Sequence, residues 1–388
     1  MSRTTATFSP PVMEARRWIN GLPETARPLL NVSQAAPTAP PPRPLLQAMA
    51  EMVLSDPGTH LYGPVLGLPE LRARIAADWS SAYGGQIANP QVAITAGCNQ
   101  AYAAAIATLC DEGDEIILPV PWYFNHKMWN DMAGVRTMPL PTDAELLPDP
   151  DAVRITDRTR AIVLVTPNNP AGTEYPADLV AAFARIAREA GIALILDETY
   201  RDFDSRPGAP HPLFQDPDWA DTLIHLYSFS KAYRLTGHRT GAMIASTARL
   251  AEAEKFLDTV AICAPQLGQK AALWGMQNLS QWLAGERAEI LDRRAAVEEA
   301  APKLANAGWR LKSVGAYFAY LEHPFDETSD ALARRLPRDA GILALPGTMF
   351  APEGDPQAAR HLRIAFANID RPGIGDLTDR LVQLAAGA

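Results

Sequence analysis

Between residues 91 and 246 the chain alternates short apolar runs with stretches of helical period, and this alternation restricts the fold more than any other feature. The runs are residues 91–95, 115–119, 135–139, 161–166, 192–197, 223–228 and 241–246. Most are near-continuously apolar, as strands buried on both faces must be, and helical patterns such as 101–110 and 176–190 fill the gaps. Such βαβ repetition predicts an α/β fold with a mainly parallel sheet covered on both faces.

Beyond residue 246 the pattern changes. Ala-, Glu- and Arg-rich helical stretches cover 249–257 and 266–306, and short apolar runs at 317–322, 341–344 and 361–366 surround a helix near 329–337. That is the pattern of a smaller α+β unit. Ahead of the alternating region a short helix is predicted over 11–20, and five prolines within 37–44 enforce extended chain. Helices follow over 45–54 and 68–83. The chain is therefore expected to divide into an N-terminal segment, 1–45, that joins the small domain, a large domain over 46–280 and a small C-terminal domain over 281–388.

Composition excludes several functions. A net charge of −9 leaves no basic stripe for nucleic acid. No apolar run approaches the roughly 18 residues of a membrane span, and the polar N-terminus lacks the apolar core of a secretory signal. Cys98, Cys110 and Cys263 match no metal-site spacing, so no metal is expected, and they point to reduced thiols in a cytoplasmic protein.

The chemistry concentrates in LYSFSKAYRLTGHRTG, residues 226–241. Lys231 follows directly on a predicted strand, where open α/β sheets bind ligands. A lysine that forms a Schiff base needs its amine in a pocket with its pKa lowered. A phosphate needs hydroxyls and a guanidinium around it, and Ser228, Ser230 and Arg239 supply them. A lone lysine in a polar loop would be read as a surface charge; the neighbouring motifs argue otherwise. ILDETY places Asp197 at a strand end, with Tyr200 three residues on. TPNNPAGT (166–173) is a turn holding Asn168, Asn169 and Pro170. TAGCNQA (95–101) is a strand-to-helix turn whose amides, at Gly97, Cys98 and Asn99, form a ready anion site. LPVPWYFNHKMW (118–129) offers aromatic rings, and HLRIAFAN carries Arg363 in a predicted strand.

These motifs, in this order and over nearly the whole chain, resemble the fold-type I aminotransferases of the aspartate aminotransferase superfamily. The resemblance implies a three-layer α/β/α large domain with a mainly parallel seven-stranded sheet, plus a small α+β domain. It implies pyridoxal 5′-phosphate as cofactor, carried on Lys231, and transfer of an amino group from an L-amino acid to a 2-oxo acid by way of pyridoxamine phosphate, as in biosynthetic amino acid metabolism. By the same resemblance Asp197 pairs with the ring nitrogen, and Asn169 and Tyr200 contact the 3′-oxygen. Tyr123, or Trp122 one residue earlier, stacks on the ring, with His126 behind Asp197. Gly97, Cys98, Asn99, Ser228, Ser230 and Arg239 surround the phosphate. Arg363 binds the substrate α-carboxylate. Tyr62, in LYGPVLGLPEL, reaches the phosphate of a neighbouring subunit, which implies a homodimer with shared active sites.

One position departs from the pattern. Ala35 stands where many relatives have a glycine against the substrate, which narrows the pocket or shifts a loop. No arginine matches the one that aspartate enzymes use for a distal carboxylate, so a neutral or aromatic donor is favoured. A lyase on the same fold, for β-elimination or decarboxylation, shares all these residues and is the alternative. A ligand-sensing domain of a transcription regulator is the other class; a chain that opens almost at its small-domain segment is expected to lack the DNA-binding part.

Overall fold

Alternate residues of an apolar run leave a sheet on opposite faces, and here both faces are dry. The computed structural model describes residues 2–22 and 27–387. A two-residue strand, β1 (Leu30–Asn31), precedes the main sheet of β2 (Val92–Thr95), β3 (Glu115–Pro119), β4 (Arg136–Leu140), β5 (Thr159–Val165), β6 (Ala193–Asp197), β7 (Leu223–Ser228) and β8 (Gly241–Ile244). The order is β2-β8-β7-β6-β5-β3-β4; β8 runs antiparallel to both neighbours and every other pairing is parallel. Ile162, Leu164, Leu194 and Leu196 join one buried cluster, and their alternates Ala161, Val163, Ala193 and Ile195 join another on the opposite face.

The helices are α1 (Pro11–Arg17), α2 (Arg43–Ser55), α3 (Pro69–Tyr83), α4 (Cys98–Leu109), α5 (Phe124–Ala133), α6 (Ala177–Glu189), the one-turn α7 (Phe229–Ala232) and α8 (Thr247–Ala261). In α6 the buried Val180, Phe183 and Ala187 fall on one stripe at helical spacing, and that stripe packs on the sheet.

The helix expected over 266–306 is two, α9 (Gln266–Asn278) and α10 (Ser280–Asn306). Leu279, at φ −116° and ψ 22°, leaves helical geometry and turns into the core of the main sheet. Each helix serves a different core, α9 with Ala271, Ala272 and Met276 and α10 with Ala296, Val297 and Leu304, which one straight rod would not do. Asn278 and Ser280 flank the break, and both favour local hydrogen bonds over helix interiors; the Asn278 side chain donates to Trp274 O at 2.8 Å.

A second sheet, all antiparallel, contains β9 (Arg310–Gly315) and β10 (Phe318–Glu322). After α11 (Ser329–Asp339) come β11 (Ile342–Leu343), β12 (Leu345–Pro346) and β13 (His361–Ile364), and α12 (Arg371–Ala386) closes the chain. The order is β12-β13-β10-β9, while β1 pairs in parallel with β11. Sequence patterning left out α12, β1, β9 and β12. The three strands were missed because β1 and β12 are two residues long and β9 is largely polar. Among the described residues no helix is long and apolar enough to cross a membrane.

Candidate active site

The C-terminal ends of β5, β6 and β7 and the start of α4 open onto one cavity of about 420 Å³. Its lining includes Ala35, Cys98, Asn99, Tyr123, Asn169, Asp197, Tyr200, Ser228, Ser230, Lys231, Arg239 and Arg363. These residues are scattered over most of the chain in sequence. Pairing of parallel strands brings their carriers side by side.

Lys231 lies in α7, directly beyond β7. Its Nζ donates to Ala35 O at 2.5 Å and stands 5.8 Å from the centre of the Tyr200 ring. Desolvation lowers the amine to about 8, and the nearby positive charges of Arg239 and Arg363 add to the effect. At neutral pH an appreciable fraction is therefore free base, the nucleophilic form.

Asp197 ends β6 and is buried. Burial alone would raise its pKa, yet His126 and the Thr199 hydrogen bonds hold the carboxyl below the ordinary value. His126 Nε2 stands 3.3 Å from Asp197 Oδ2, and the Thr199 amide donates to Oδ1 at 2.9 Å. His126 is stacked on Tyr102 at 3.9 Å, which fixes the ring. The result is a buried anion aimed at the cavity.

On the far side of the cavity, Arg239 takes a left-handed backbone at φ +50°. Its guanidinium donates to Thr236 O at 2.9 Å and reaches Ser230 Oγ at 3.4 Å and Ala96 O at 3.5 Å. Gly97, the residue directly before α4, has φ +89°, and a Cβ there would meet Arg239 Nη2 at 2.2 Å. The positive φ favours glycine there, and the missing Cβ leaves room in that nook for the guanidinium. The first N–H groups of a helix have no acceptor within it, so the start of α4, the Ser228 and Ser230 hydroxyls and Arg239 converge as an anion cradle. Cys98, in the same turn, has its thiol pushed up by burial and by Asp197, which leaves it protonated and unreactive.

Arg363, on β13, is buried; desolvation brings it down to about 10. It donates to Asn169 Oδ1 at 3.1 Å and to Ser33 O, and its Nε has no partner. A buried guanidinium with an unused donor beside a cavity suits a carboxylate ligand. Asn168 holds the turn, accepting from Ala171 N at 2.9 Å and donating to Tyr175 Oη at 3.2 Å. Tyr123 lines the cavity, whereas Trp122 is packed in the core below and does not. Tyr62 lies outside the cavity altogether and is 79% exposed.

Residues that motif reading did not single out also line the site: Thr199 and Thr236, Phe124 and Asn125, Gln34, and Val12, Met13 and Arg16 of α1. Thr199 was legible in principle, since its amide follows Asp197 by two residues. Nothing in the seven residues of α1 signals a role at a distant strand end.

A mainly parallel α/β sheet thus gathers at its strand ends a lowered lysine amine, a buried carboxylate and two arginines around one cavity. The chain belongs to the aminotransferase class I and II family, whose sequence profile matches residues 27–381. The aromatic aminotransferase ISS1 of Arabidopsis thaliana is 31% identical over 382 residues, covering 95% of this chain and 92% of that protein. The arginine–pyruvate transaminase AruH of Pseudomonas aeruginosa is 30% identical, covering 88% and 86%. The solved N-succinyldiaminopimelate aminotransferase of Mycobacterium tuberculosis superposes with a TM-score of 0.87 at 26% identity over 100% of both chains. The chain is thus an aminotransferase.

Proposed function

We propose that the chain is a pyridoxal-phosphate-dependent aminotransferase that moves an amino group from an uncharged L-amino acid to a 2-oxo acid, with Lys231 as the cofactor-bearing residue. The observation that carries this is the Lys231 amine, lowered to about 8 and set in one cavity with Asp197 and Arg239. The nook kept open by Gly97 fits a phosphate, and the buried anion of Asp197 fits a ring nitrogen. Pyridoxal phosphate, when bound, supplies the aldehyde for the amine and the ring that accepts electrons from the substrate's Cα.

The protein's part follows from residue chemistry. Arg239, Ser228, Ser230 and the amides at Cys98 and Asn99 hold the phosphate. Asp197 would hold the ring nitrogen protonated, Tyr123 would hold the ring, and Asn169 and Tyr200 would hold the 3′-oxygen. Arg363 and Asn169 would bind the substrate carboxylate, and Ala35 would stand in the cavity wall against the substrate. With the cofactor bound, the Lys231 amine would be the base placed to move the substrate's Cα proton. Val12, Met13 and Phe124 give the cavity an apolar wall, which supports an apolar or aromatic donor. The free thiols of Cys98, Cys110 and Cys263 fit a reducing, cytoplasmic setting.

The test is a single-turnover donor panel followed by absorbance. Conversion of bound cofactor to pyridoxamine phosphate, reversed by a 2-oxo acid, supports the assignment. Release of ammonia and oxo acid from one substrate, with no acceptor required, makes the chain a lyase instead.

In Arg363→Lys a point charge replaces a two-pronged fork, so kcat/KM for amino acids should fall roughly tenfold or more. Amines lacking a carboxylate should lose little. Equal loss for both would remove Arg363 from carboxylate binding.

We assign the working unit as a homodimer. Leu54 (82% exposed), Leu61 (65%), Tyr62 (79%) and Val260 (58%) leave large apolar side chains in solvent, and Gly63 N contacts Cys263 Sγ at 3.5 Å, which brings the Tyr62 loop against the end of α8. If Tyr62 completes the neighbour's site, mixing inactive Lys231→Ala and Tyr62→Asp chains puts both defects in one site of a hybrid and none in the other. Activity should return to about half the wild-type value per hybrid dimer. Verified hybrids that stay inactive would place Tyr62 in its own chain's site or in none.

A further inference from the structure

Beneath the cavity, on the opposite face of the sheet from Asp197, lies a buried polar cluster that the proposed chemistry does not use. Strand alternation puts it there: Asp197 points with Ala193 and Ile195, so Glu198 points with Leu194 and Leu196, toward the core of the other face. Glu198 is 0% exposed. Its carboxylate accepts from the Tyr83 hydroxyl of α3, lies 2.7 Å from His225 Nε2 of β7, and lies 3.5 Å from His211 Nε2 of the loop after β6. Arg201 supplies positive charge nearby, stacked 4.1 Å from Trp79 and 4.7 Å from Tyr83. Next to it Asp202 accepts from the Tyr227 hydroxyl at 2.7 Å. The two histidines hold the Glu198 carboxyl well below the usual carboxylate range against the opposing effect of burial, so it is an anion.

Stability does not account for such a cluster. Burying charges is costly, and apolar side chains of similar size do as well or better in a core. Glu198 Oε1, Arg201 Nη1, His211 Nε2 and His225 Nδ1 are buried without hydrogen-bond partners, which adds to that cost. What the cluster does is join chain segments. Glu198 sits between Asp197 and Tyr200, and His225 is on the strand that leads to Ser228 and Lys231. We infer that Glu198 is a positioning residue: with His225, His211 and Tyr83 it latches the ends of β6 and β7 together and so sets Asp197 and Tyr200 against Lys231. This rests on the site assignment proposed above.

The latch touches β6 and β7 but not β13 or the Asn169 turn, which bind the substrate carboxylate in that assignment. Its loss should therefore act on kcat and spare KM. The experiment compares wild-type and Glu198→Gln holoenzymes on whichever donor the wild type turns over fastest. Expected are a kcat at least tenfold lower, a donor KM within twofold, and a displaced pH midpoint for the absorbance of pyridoxal phosphate bound to Lys231. A folded, cofactor-loaded variant whose kcat stays within threefold and whose midpoint does not move overturns the latch. Should Glu198→Gln not fold, His211→Asn carries the test from outside the sheet, with at least a threefold fall in kcat expected and an unchanged kcat overturning the idea. A wild type with neither the Lys231-linked band nor turnover would sink the site assignment instead, so the two failures are distinguishable.

Discussion

Lys231→Ala is expected to lower turnover by about a thousandfold or more, since the proposed assignment makes the amine both the nucleophile and the group that moves the Cα proton. Cofactor should still bind through Arg239 and the start of α4, so the variant loses the lysine-linked absorbance without losing affinity for the phosphate. Borohydride reduction of the wild type followed by peptide mapping should find the label on Lys231; a label on another lysine ends the assignment. The lowered amine also has a pH signature. Below about 8 the Lys231 amine is mostly protonated and cannot attack, and above it the free base dominates. Capture of added pyridoxal phosphate by cofactor-stripped protein should therefore speed up as pH rises through about 8 and then level off. A rate still climbing near the ordinary lysine value of roughly 10.4 would mean that the pocket does not lower the amine.

Asp197→Ala is the second large effect. In the proposed assignment this buried carboxylate would keep a proton on the ring nitrogen, and without it the ring would accept electrons poorly. Turnover should drop by about a hundred- to a thousandfold, the range seen when one preorganised electrostatic partner is removed. The Lys231-linked absorbance should persist, because forming it needs the amine and not the carboxylate. Asp197→Glu keeps the charge at the wrong reach and should be milder. Steady-state rates on the best donor decide the matter: near-normal turnover in the alanine variant takes Asp197 out of the mechanism.

The sheet was legible because most of its strands are buried on both faces, which writes them as nearly continuous apolar runs; β3 and β7 match their runs end to end. The site was legible for a related reason. Parallel strands finish at one edge, so residues at or just beyond the run ends, Asp197 and Lys231 among them, gather there. Less visible were elements whose signal is tertiary. The break at Leu279 depends on two cores that local period does not reveal. Glu198 and His225, 27 residues apart, look like ordinary polar residues until strand alternation turns both to the same face. The α1 residues at the cavity carry no motif, and only the packing of the N-terminal segment brings them there.

The pairing of β1 with β11 also dictates an order of events as the chain is made. Arg363 meets the Ser33 carbonyl across 330 residues of sequence, and Leu30 must wait for Ile342 before its strand exists. The main sheet ends at Ile244, so it has every strand it needs well before those partners leave the ribosome. Contacts of such long range form late, after the entropy of closing the intervening chain has been overcome. A nascent chain can thus display Lys231 and its anion cradle while the substrate-facing wall is still missing. That wall closes only when the segments around Ser33 and Arg363, which lie on either side of the main sheet in sequence, come together.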